Sequence, residues 1–317
     1  MARLRIVTLG IVSLLVAACG PGGSTAGPSA PGSTQAAPTQ AASPPGPETA
    51  APTGDACATE SLQTKTAGTL TIGTDNPAYP PYFQAREGRN TEPWDPSQGD
   101  PTTGKGFESA VAYAIAEELG FANDDVSWIP IRFNKSFAPG PKDFDLFINQ
   151  VAFNEQRAEN VDLSEGYYFG NQTVVTMEDS EFATATTLTE LMAATLGAQV
   201  GTTSLSAIED VIGATPAVYD DTFAAISDMK SGDIDGIVVD LPTAGFVTTV
   251  QAPRSTIVGQ MGEAAGAEPE RFSVVLEKDS ALTLCVNESI GALQENGAIE
   301  AMTNEWLPFS NTPELLP

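Results

Sequence analysis

Short apolar runs alternate with amphipathic segments from about residue 69 onward, and this alternation predicts strands separated by helices. The predicted strands are 69–73, 126–131, 145–148, 173–177, 195–200, 217–219, 236–239 and 272–276. The predicted helices are 107–119, 188–193, 222–229 and a last one with the apolar stripe Leu282, Val286, Ile290 and Leu293. Strands that alternate with helices form parallel sheets with helices on both faces, so we expect an α/β protein.

Candidate chemistry is found where the predicted strands end. Ligands of such folds bind beyond the carboxyl ends of the strands, so polar residues directly after a strand are candidates for binding. Four places meet this condition: Asp75, Arg157, the stretch 201–204 and Asp240.

The N-terminal residues 1–18 are typical of a secretory signal, because Arg3 and Arg5 precede an apolar run too short to span a bilayer. The run ends in Val-Ala-Ala-Cys-Gly, which resembles a bacterial lipobox and predicts that Cys19 carries a lipid anchor. An ordinary signal peptide with an incidental cysteine is the alternative. Residues 19–56 are nearly all Pro, Gly, Ser, Thr, Ala and Gln and are predicted to form a disordered tether. We therefore expect a domain outside the cell, anchored to the outer face of the cytoplasmic membrane.

Composition excludes several classes of function. The chain has 14 Lys and Arg residues against 41 Asp and Glu, a net charge of −27, so binding to nucleic acid is not expected. It contains no histidine, which excludes Ser-His-Asp and Cys-His catalysis and histidine-rich zinc sites. Asp95 and Asp100 lie in an insertion, 86–105, but their spacing fits no calcium loop. We predict no metal site and a solvated surface loop there.

The two remaining cysteines, Cys57 and Cys285, lie near the two ends of the predicted domain. Because an exported compartment is oxidising, we predict a disulfide between them. Two free buried thiols are the alternative.

A series of motifs occurs in a characteristic order along the chain. They are LTIGTD at 70–75, AYPPYF at 78–83, GFE at 106–108, the region 145–168 around Arg157, VGTTS at 200–204, DGIVVD at 235–240 and NEWL at 304–307. Together they resemble the bacterial extracellular solute-binding proteins of polar amino-acid ABC transporters, family 3. The resemblance covers residues 69–309.

This resemblance implies a fold like that of type II periplasmic binding proteins, with two α/β lobes joined by hinge strands near 172–177 and 272–276. It assigns 57–173 and 272–317 to lobe 1 and the inserted segment 174–271 to lobe 2. It also implies capture of a polar amino acid by lobe closure, and delivery to a permease and ATPase encoded separately. No cofactor and no enzymatic activity are expected, and contact with the membrane is expected through the lipid anchor only.

The resemblance also implies how the cleft holds the ligand. A free amino acid is a zwitterion, and its carboxylate suits the planar guanidinium of Arg157. The helix start at Thr202, Thr203 and Ser204 would add backbone N–H donors. Asp240 would bind the ammonium group. The alternatives are a structural ion pair for Arg157, with Glu155 or Glu159, and simple helix capping for Asp240 and the stretch 202–204.

Five further positions complete the implied site. Tyr79 and Phe133 are expected to sandwich the ligand side chain, or else to be ordinary core aromatics. Asp75 is expected to contact the polar end of that side chain, or else only to cap its turn. Ala152 stands where the family usually has a hydroxyl, which leaves its backbone N–H as a donor. Gln150 is reminiscent of cystine-binding members, but it could instead stabilise the hinge side of the cleft.

Two other functions stay open at this point. A ligand-sensing domain could use the same cleft to signal to a separate partner. A dehydratase on the same fold would need an acid or base such as Glu155 or Asp240. The ligand itself is not determined, since glutamine, cystine and a cationic amino acid all fit the motifs.

Overall fold

The computed structural model describes residues 56–86, 92–94, 98–262, 270–307 and 312–317. The predicted signal peptide, the predicted lipidation site Cys19 and the predicted tether up to residue 55 lie outside these residues. The strands are β1 (Leu70–Thr74), β2 (Val126–Pro130), β3 (Leu146–Phe147), β4 (Val161–Gly170), β5 (Gln172–Met177), β6 (Leu196–Gln199), β7 (Ala217–Tyr219), β8 (Gly236–Asp240), β9 (Ser255–Met261) and β10 (Glu270–Glu277).

The helices include several short ones that carry site residues. They are α1 (Phe107–Glu118), α2 (Phe133–Ser136), α3 (Glu155–Ala158), α4 (Leu188–Leu191), α5 (Thr203–Ala207), α6 (Thr222–Ser231), α7 (Leu241–Phe246), α8 (Leu282–Glu295) and α9 (Ala298–Trp306). The turns Ile208–Ile212 and Val247–Gln251 extend α5 and α7 with π-helical hydrogen bonds. Short 3₁₀ helices span Thr59–Ser61, Pro101–Thr103 and Asn123–Asp125. None of the described helices is both long and apolar enough to cross a bilayer.

The strands form two five-stranded sheets, which we call the first and second lobe. The first has the order β2-β1-β3-β10-β4, and the second has the order β7-β6-β8-β5-β9. The expectation of parallel sheets is confirmed for β1 with β2 and β3 and for β6 with β7 and β8. It is wrong for the rest of the sheets, because β10 and β4 pair antiparallel in the first sheet, and β5 and β9 do so in the second. These four strands adjoin the passages between lobes, where no crossover helix imposes a parallel direction.

Helices cover the buried faces of both sheets. In the first lobe, Phe107, Val111 and Ile115 on one face of α1 pack with α8 against β1. In the second lobe, Val238 faces one core and Ile237 faces the other. Because β8 is buried on both faces, its sequence is a continuous apolar run, and that run ends at the cleft.

The chain passes between the lobes at positions that differ from the predicted hinge strands. Residues 172–177 lie within β5 of the second sheet, and residues 272–276 lie within β10 of the first. Their apolar side chains are buried in the two cores, so the first passage is at Asn171, and the chain is again part of the first sheet from Glu270. The C-terminal residues were assigned to lobe 1. Instead Leu315 is buried in the second-lobe core, and Glu314 bridges to Gln260 of β9.

The disulfide between Cys57 and Cys285 is present, so the alternative of two free thiols is wrong. It fastens the start of the described domain to α8, and the Thr59 hydroxyl adds a hydrogen bond to the carbonyl of Leu119 (3.0 Å). Both ends of the first lobe are therefore held together.

Part of the insertion 86–105 is not a solvated loop. Trp94 is buried in the first-lobe core, and Asp100 is fully buried at the N-terminus of the 3₁₀ helix Pro101–Thr103. The Asp100 carboxylate accepts hydrogen bonds from the backbone N–H and hydroxyl of Thr102 (2.9 and 2.6 Å) and lies 3.3 Å from Arg86. The described part of the insertion thus packs through an aromatic anchor and a buried cap.

Candidate functional site

A narrow cavity lies between the two lobes, at the carboxyl ends of the inner strands. Its volume is about 40 Å³, room for about three water molecules. Eight predicted site residues line it: Tyr79, Phe133, Gln150, Arg157, Thr202, Thr203, Ser204 and Asp240. Residues separated by up to 161 positions, from Tyr79 to Asp240, therefore meet at one place.

Arg157 spans the cleft from the first lobe to the second. Its Nη1 donates to the carbonyl of Ala152, and its Nη2 donates to the carbonyl of Gly201 across the cleft (2.8 Å). The side chain is 5% exposed, and its guanidinium lies 4.5 Å from the ring centre of Phe137. Burial lowers the pKa of Arg157 to about 10, so the group remains a cation at neutral pH.

The proposed structural ion pair of Arg157 with Glu155 or Glu159 is not formed among the described residues. The side chain of Asn154 caps α3 by accepting the backbone N–H of Arg157 (2.7 Å). This short helix therefore points the guanidinium into the cavity.

Asp240 is held from both lobes. Its carboxylate caps α7 by accepting the backbone N–H and the hydroxyl of Thr243 (both 2.9 Å), and it also accepts the hydroxyl of Tyr82 from the first lobe. Burial raises the pKa of Asp240. The capping interpretation is thus correct. Capping does not use all the acceptor positions of the Asp240 carboxylate, because a carboxylate offers about four of them. The Oδ2 oxygen, bonded only to the Thr243 hydroxyl, can still accept a donor from the cavity.

The start of α5 lines the cavity with Thr202, Thr203 and Ser204, and the hydroxyl of Thr202 donates to the carbonyl of Gln199 (2.8 Å). Thr202 caps this helix by accepting the backbone N–H of Leu205 (3.1 Å). The hydroxyl of Thr203 donates to the carboxylate of Glu270 (2.8 Å), and Gln172 Nε2 donates to the same carboxylate (2.9 Å).

Glu270 and Gln172 were missed by sequence reasoning. The one available signal for Glu270 was an acidic residue immediately before an apolar strand. Burial raises the pKa of the Glu270 carboxyl, and the hydrogen bonds from Gln172 and Thr203 and the charge of Arg157 offset this rise only in part. The Oε1 of Gln172 is buried and has no hydrogen-bond partner among the described residues. The wall therefore presents one free acceptor, the Oε1 of Gln172, beside a Glu270 carboxyl that already accepts two hydrogen bonds.

A second missed carboxylate, Glu108, fixes the position of Gln150. The backbone N–H of Gln150 donates to Glu108 Oε1 (2.6 Å), its side-chain amide donates to Oε2, and the hydroxyl of Tyr167 donates to Oε1. Gln150 has φ of 46°, a left-handed conformation that is uncommon outside glycine. The network holds this conformation and leaves the Gln150 Oε1 facing the Tyr79 hydroxyl (3.3 Å).

The aromatic residues contribute contacts from both sides of the cleft. The ring of Tyr79 packs edge-on against Phe223 of the second lobe, with ring centres 5.4 Å apart. Phe133 is 6% exposed and lies 5.6 Å from the guanidinium of Arg157. Both also line the cavity, so the core and ligand interpretations are compatible.

Two predicted residues do not line this cavity. Ala152 is buried and contributes its carbonyl to Arg157. Asp75 accepts the backbone N–H groups of Asn76 and Phe133 (2.8 and 3.1 Å) and lines an adjoining cavity instead. The further lining residues that sequence reasoning missed are Asn149, Gln172, Gln199, Thr222, Val238, Val239, Thr243 and Phe272.

Comparisons with known proteins agree with this architecture. Residues 70–309 match the family described as bacterial extracellular solute-binding proteins, family 3. The L-cystine-binding protein TcyJ of Escherichia coli is 27% identical over 248 residues, which are 77% of this chain and 84% of TcyJ. The arginine-binding extracellular protein ArtP of Bacillus subtilis is 23% identical over 220 residues, 68% of this chain and 82% of ArtP.

Solved structures show the same fold. The amino acid ABC transporter substrate-binding protein AbpA of Streptococcus pneumoniae, bound to L-arginine, aligns with a TM-score of 0.63 at 22% identity. The alignment covers 77% of this chain and 97% of AbpA. The fold is therefore that of the type II periplasmic binding proteins.

Proposed function

Because this chain belongs to the bacterial extracellular solute-binding proteins, family 3, we propose that it captures a free polar amino acid between its lobes and delivers it to an ABC importer. The observation that carries the proposal is the pairing of opposite charges in one buried cleft, with Arg157 from the first lobe and Asp240 from the second. A zwitterion supplies the complementary charge to each. The names of the similar proteins, which bind cystine or arginine, support a ligand of this class.

The carboxylate of the ligand would contact Arg157 and the N–H groups at the start of α5. These are charge-assisted hydrogen bonds in a site with little water, so they are stronger than in bulk solvent. The ammonium group would contact the Oδ2 of Asp240. Once one lobe has bound one charged end of the ligand, the other charged end would be held where the second lobe can contact it.

The size of the cavity and the contacts across it support lobe closure as part of the proposal. The space is too small for a free amino acid to enter without movement, and Arg157–Gly201 and Tyr82–Asp240 hydrogen bonds join the lobes. Opening would break these contacts and expose the cleft. A ligand that bridges the same lobes would stabilise the closed form, which a permease can distinguish from the open one.

The location of the protein is part of the proposal. The disulfide is consistent with an oxidising compartment outside the cytoplasm. Anchoring through Cys19 places the domain on the outer face of the cytoplasmic membrane, beside a permease and ATPase encoded separately. A mass-spectrometric search for diacylglycerol on Cys19 tests the anchor independently of binding.

The decisive experiment is thermal unfolding of the purified protein against the twenty amino acids, cystine and ornithine, before and after removal of co-purified ligand by unfolding and refolding. A ligand at about 100 times its dissociation constant adds about 2.7 kcal/mol, which raises the melting temperature by a few degrees. Arg157→Gln and Asp240→Asn should abolish the shift. The surface pair Arg254 and Asp179, 75% and 72% exposed, supplies the controls Arg254→Gln and Asp179→Asn, which should retain it. A refolded protein that responds to no amino acid would contradict the proposal.

A further inference from the structure

A second cavity of about 240 Å³ adjoins the first and shares Phe133 and Gln199 with it. Its walls come from both lobes. The first lobe contributes the loop after β1 and the start of α2, and the second contributes the ends of β6 and β7. The cleft thus continues beyond the small cavity that holds Arg157 and Asp240. Its charged lining residues are Asp75, Arg132, Asp220 and Asp221.

The one cation of this lining is available to a ligand. The guanidinium of Arg132 is exposed and makes no hydrogen bond or ion pair with any described residue. A guanidinium presents a planar fork of donors that fits a carboxylate. Arg132 precedes α2 directly, so its position is fixed by the backbone that also places Phe133 in the first cavity.

The carboxylates of the lining also retain free acceptor positions. Asp75 accepts the backbone N–H groups of Asn76 and Phe133, one on each oxygen (2.8 and 3.1 Å), and it also interacts with the side chain of Gln199 and the charge of Arg132. Asp221 uses its Oδ1 to cap α6 through Ala224 (2.9 Å), and the side chain of Asp220 makes no hydrogen bond among the described residues. A carboxylate has about four acceptor positions, so each can still bind an ammonium group.

We propose that this second compartment binds the far end of a two-headed amino acid, whose two ends each carry an α-ammonium and an α-carboxylate. The inference rests on the proposed function, since the near head would lie between Arg157 and Asp240. The far carboxylate pairs with Arg132, and the far ammonium pairs with the aspartates around it. The chemical class includes cystine and its thioether analogue cystathionine.

The second compartment carries both positive and negative side chains, and this favours a two-headed amino acid over a ligand with a lysine-like or a short neutral side chain. A lysine-like side chain would be attracted by the three aspartates but would offer no carboxylate to Arg132. A short neutral side chain would not reach the compartment and would leave its charges unpaired. A second zwitterion is complementary to Arg132 and Asp75 together.

The test measures affinity by isothermal titration calorimetry, with L-cystathionine, L-cystine, L-lysine and the one-headed S-methyl-L-cysteine as probes. Cystathionine lacks a disulfide, so its binding is independent of redox conditions. We expect the two-headed probes to bind about tenfold or more tightly than S-methylcysteine and lysine. Arg132→Gln should weaken cystathionine binding by about tenfold, which corresponds to the loss of a hydrogen bond to a charged group. The same substitution should change S-methylcysteine binding by less than about twofold.

Arg254→Gln is the matched control, because it removes an exposed arginine remote from either cavity and should leave all affinities unchanged. Equal affinity for one-headed and two-headed probes would overturn the inference but not the proposed function. The inference would also be overturned if Arg132→Gln weakened the binding of cystathionine and of S-methylcysteine equally, since that indicates a general structural effect. If no amino acid binds the wild-type protein, the proposed function fails, and this inference fails with it.

Discussion

Replacing Glu108 by glutamine should change how the stability of the protein depends on pH. Burial raises the pKa of Glu108 from the ordinary 4.5 to about 7, and this effect outweighs the three hydrogen bonds from Gln150 and Tyr167, which lower it. Between these two pH values the folded protein holds a proton that the unfolded chain has released. The stability contributed by Glu108 is therefore complete below about pH 4.5 and is lost as the pH rises through 7.

The magnitude follows from the size of the shift. One pKa unit corresponds to about 1.4 kcal/mol, so a rise from 4.5 to about 7 corresponds to a loss on the order of 3 kcal/mol between the two limits. Glutamine at position 108 does not titrate and removes this dependence. The glutamine side chain also provides one acceptor fewer for Gln150 and Tyr167. This loss lowers the free energy of unfolding by nearly the same amount at every pH, so it does not change the slope. The slope, and not the absolute stability, is therefore the quantity that tests the argument.

The assay is urea unfolding followed by tryptophan fluorescence, repeated at a series of pH values for wild type and Glu108→Gln. The difference in slope between the two proteins isolates Glu108 from the other carboxyl groups. Glu118→Gln, an exposed glutamate on the same helix, controls for the loss of one surface carboxylate. If wild type and Glu108→Gln have parallel pH profiles between 4.5 and 7, Glu108 does not titrate there in the folded protein, and the reasoning is refuted.

Two further predictions concern the disulfide and the Glu270 carboxyl in the wall of the cleft. The disulfide between Cys57 and Cys285 closes a loop of 228 residues, so replacing both cysteines by serine should lower the free energy of unfolding by about 5 kcal/mol, measured with urea. An unchanged midpoint would show that the loop is not a constraint on the unfolded chain. Glu270→Gln removes a negative charge beside Thr203 and Arg157, and should tighten the binding of a zwitterionic ligand by up to about tenfold in calorimetry. Weaker binding by this variant would indicate that Glu270 contacts the ligand as a partner and not as a repulsive neighbour.

The sequence was sufficient for residues whose role depends on local structure. Asp240 and Thr202 follow strands and precede helices, and both cap those helices as this position leads one to expect. The spacing of Phe107, Val111 and Ile115 predicts a buried helical face, which the fold confirms. In each case the relevant neighbours are a few residues away in the chain.

Long-range contacts account for what the sequence did not reveal. Glu270 meets Thr203 and Gln172, which are 67 and 98 positions away, and no local pattern records such a meeting. Asp75 follows its strand as expected, yet it lines the adjoining compartment, where it accepts the backbone N–H of Phe133, 58 positions away. The direction of β10 and β4 depended equally on distant parts of the chain, since they pair after the chain has passed through the other lobe.

The sequence by itself therefore determined the class of fold, the family and half of the residues that line the first cavity, because these follow from periodicity, motif order and position after a strand. Only the tertiary structure decided which of these residues share one cavity, which carboxylates are buried beside them and how far the cleft extends. Burial, charge pairing and the reach of a side chain depend on distances between residues that are remote along the chain. Those distances are fixed by the packing of two lobes and not by any segment alone.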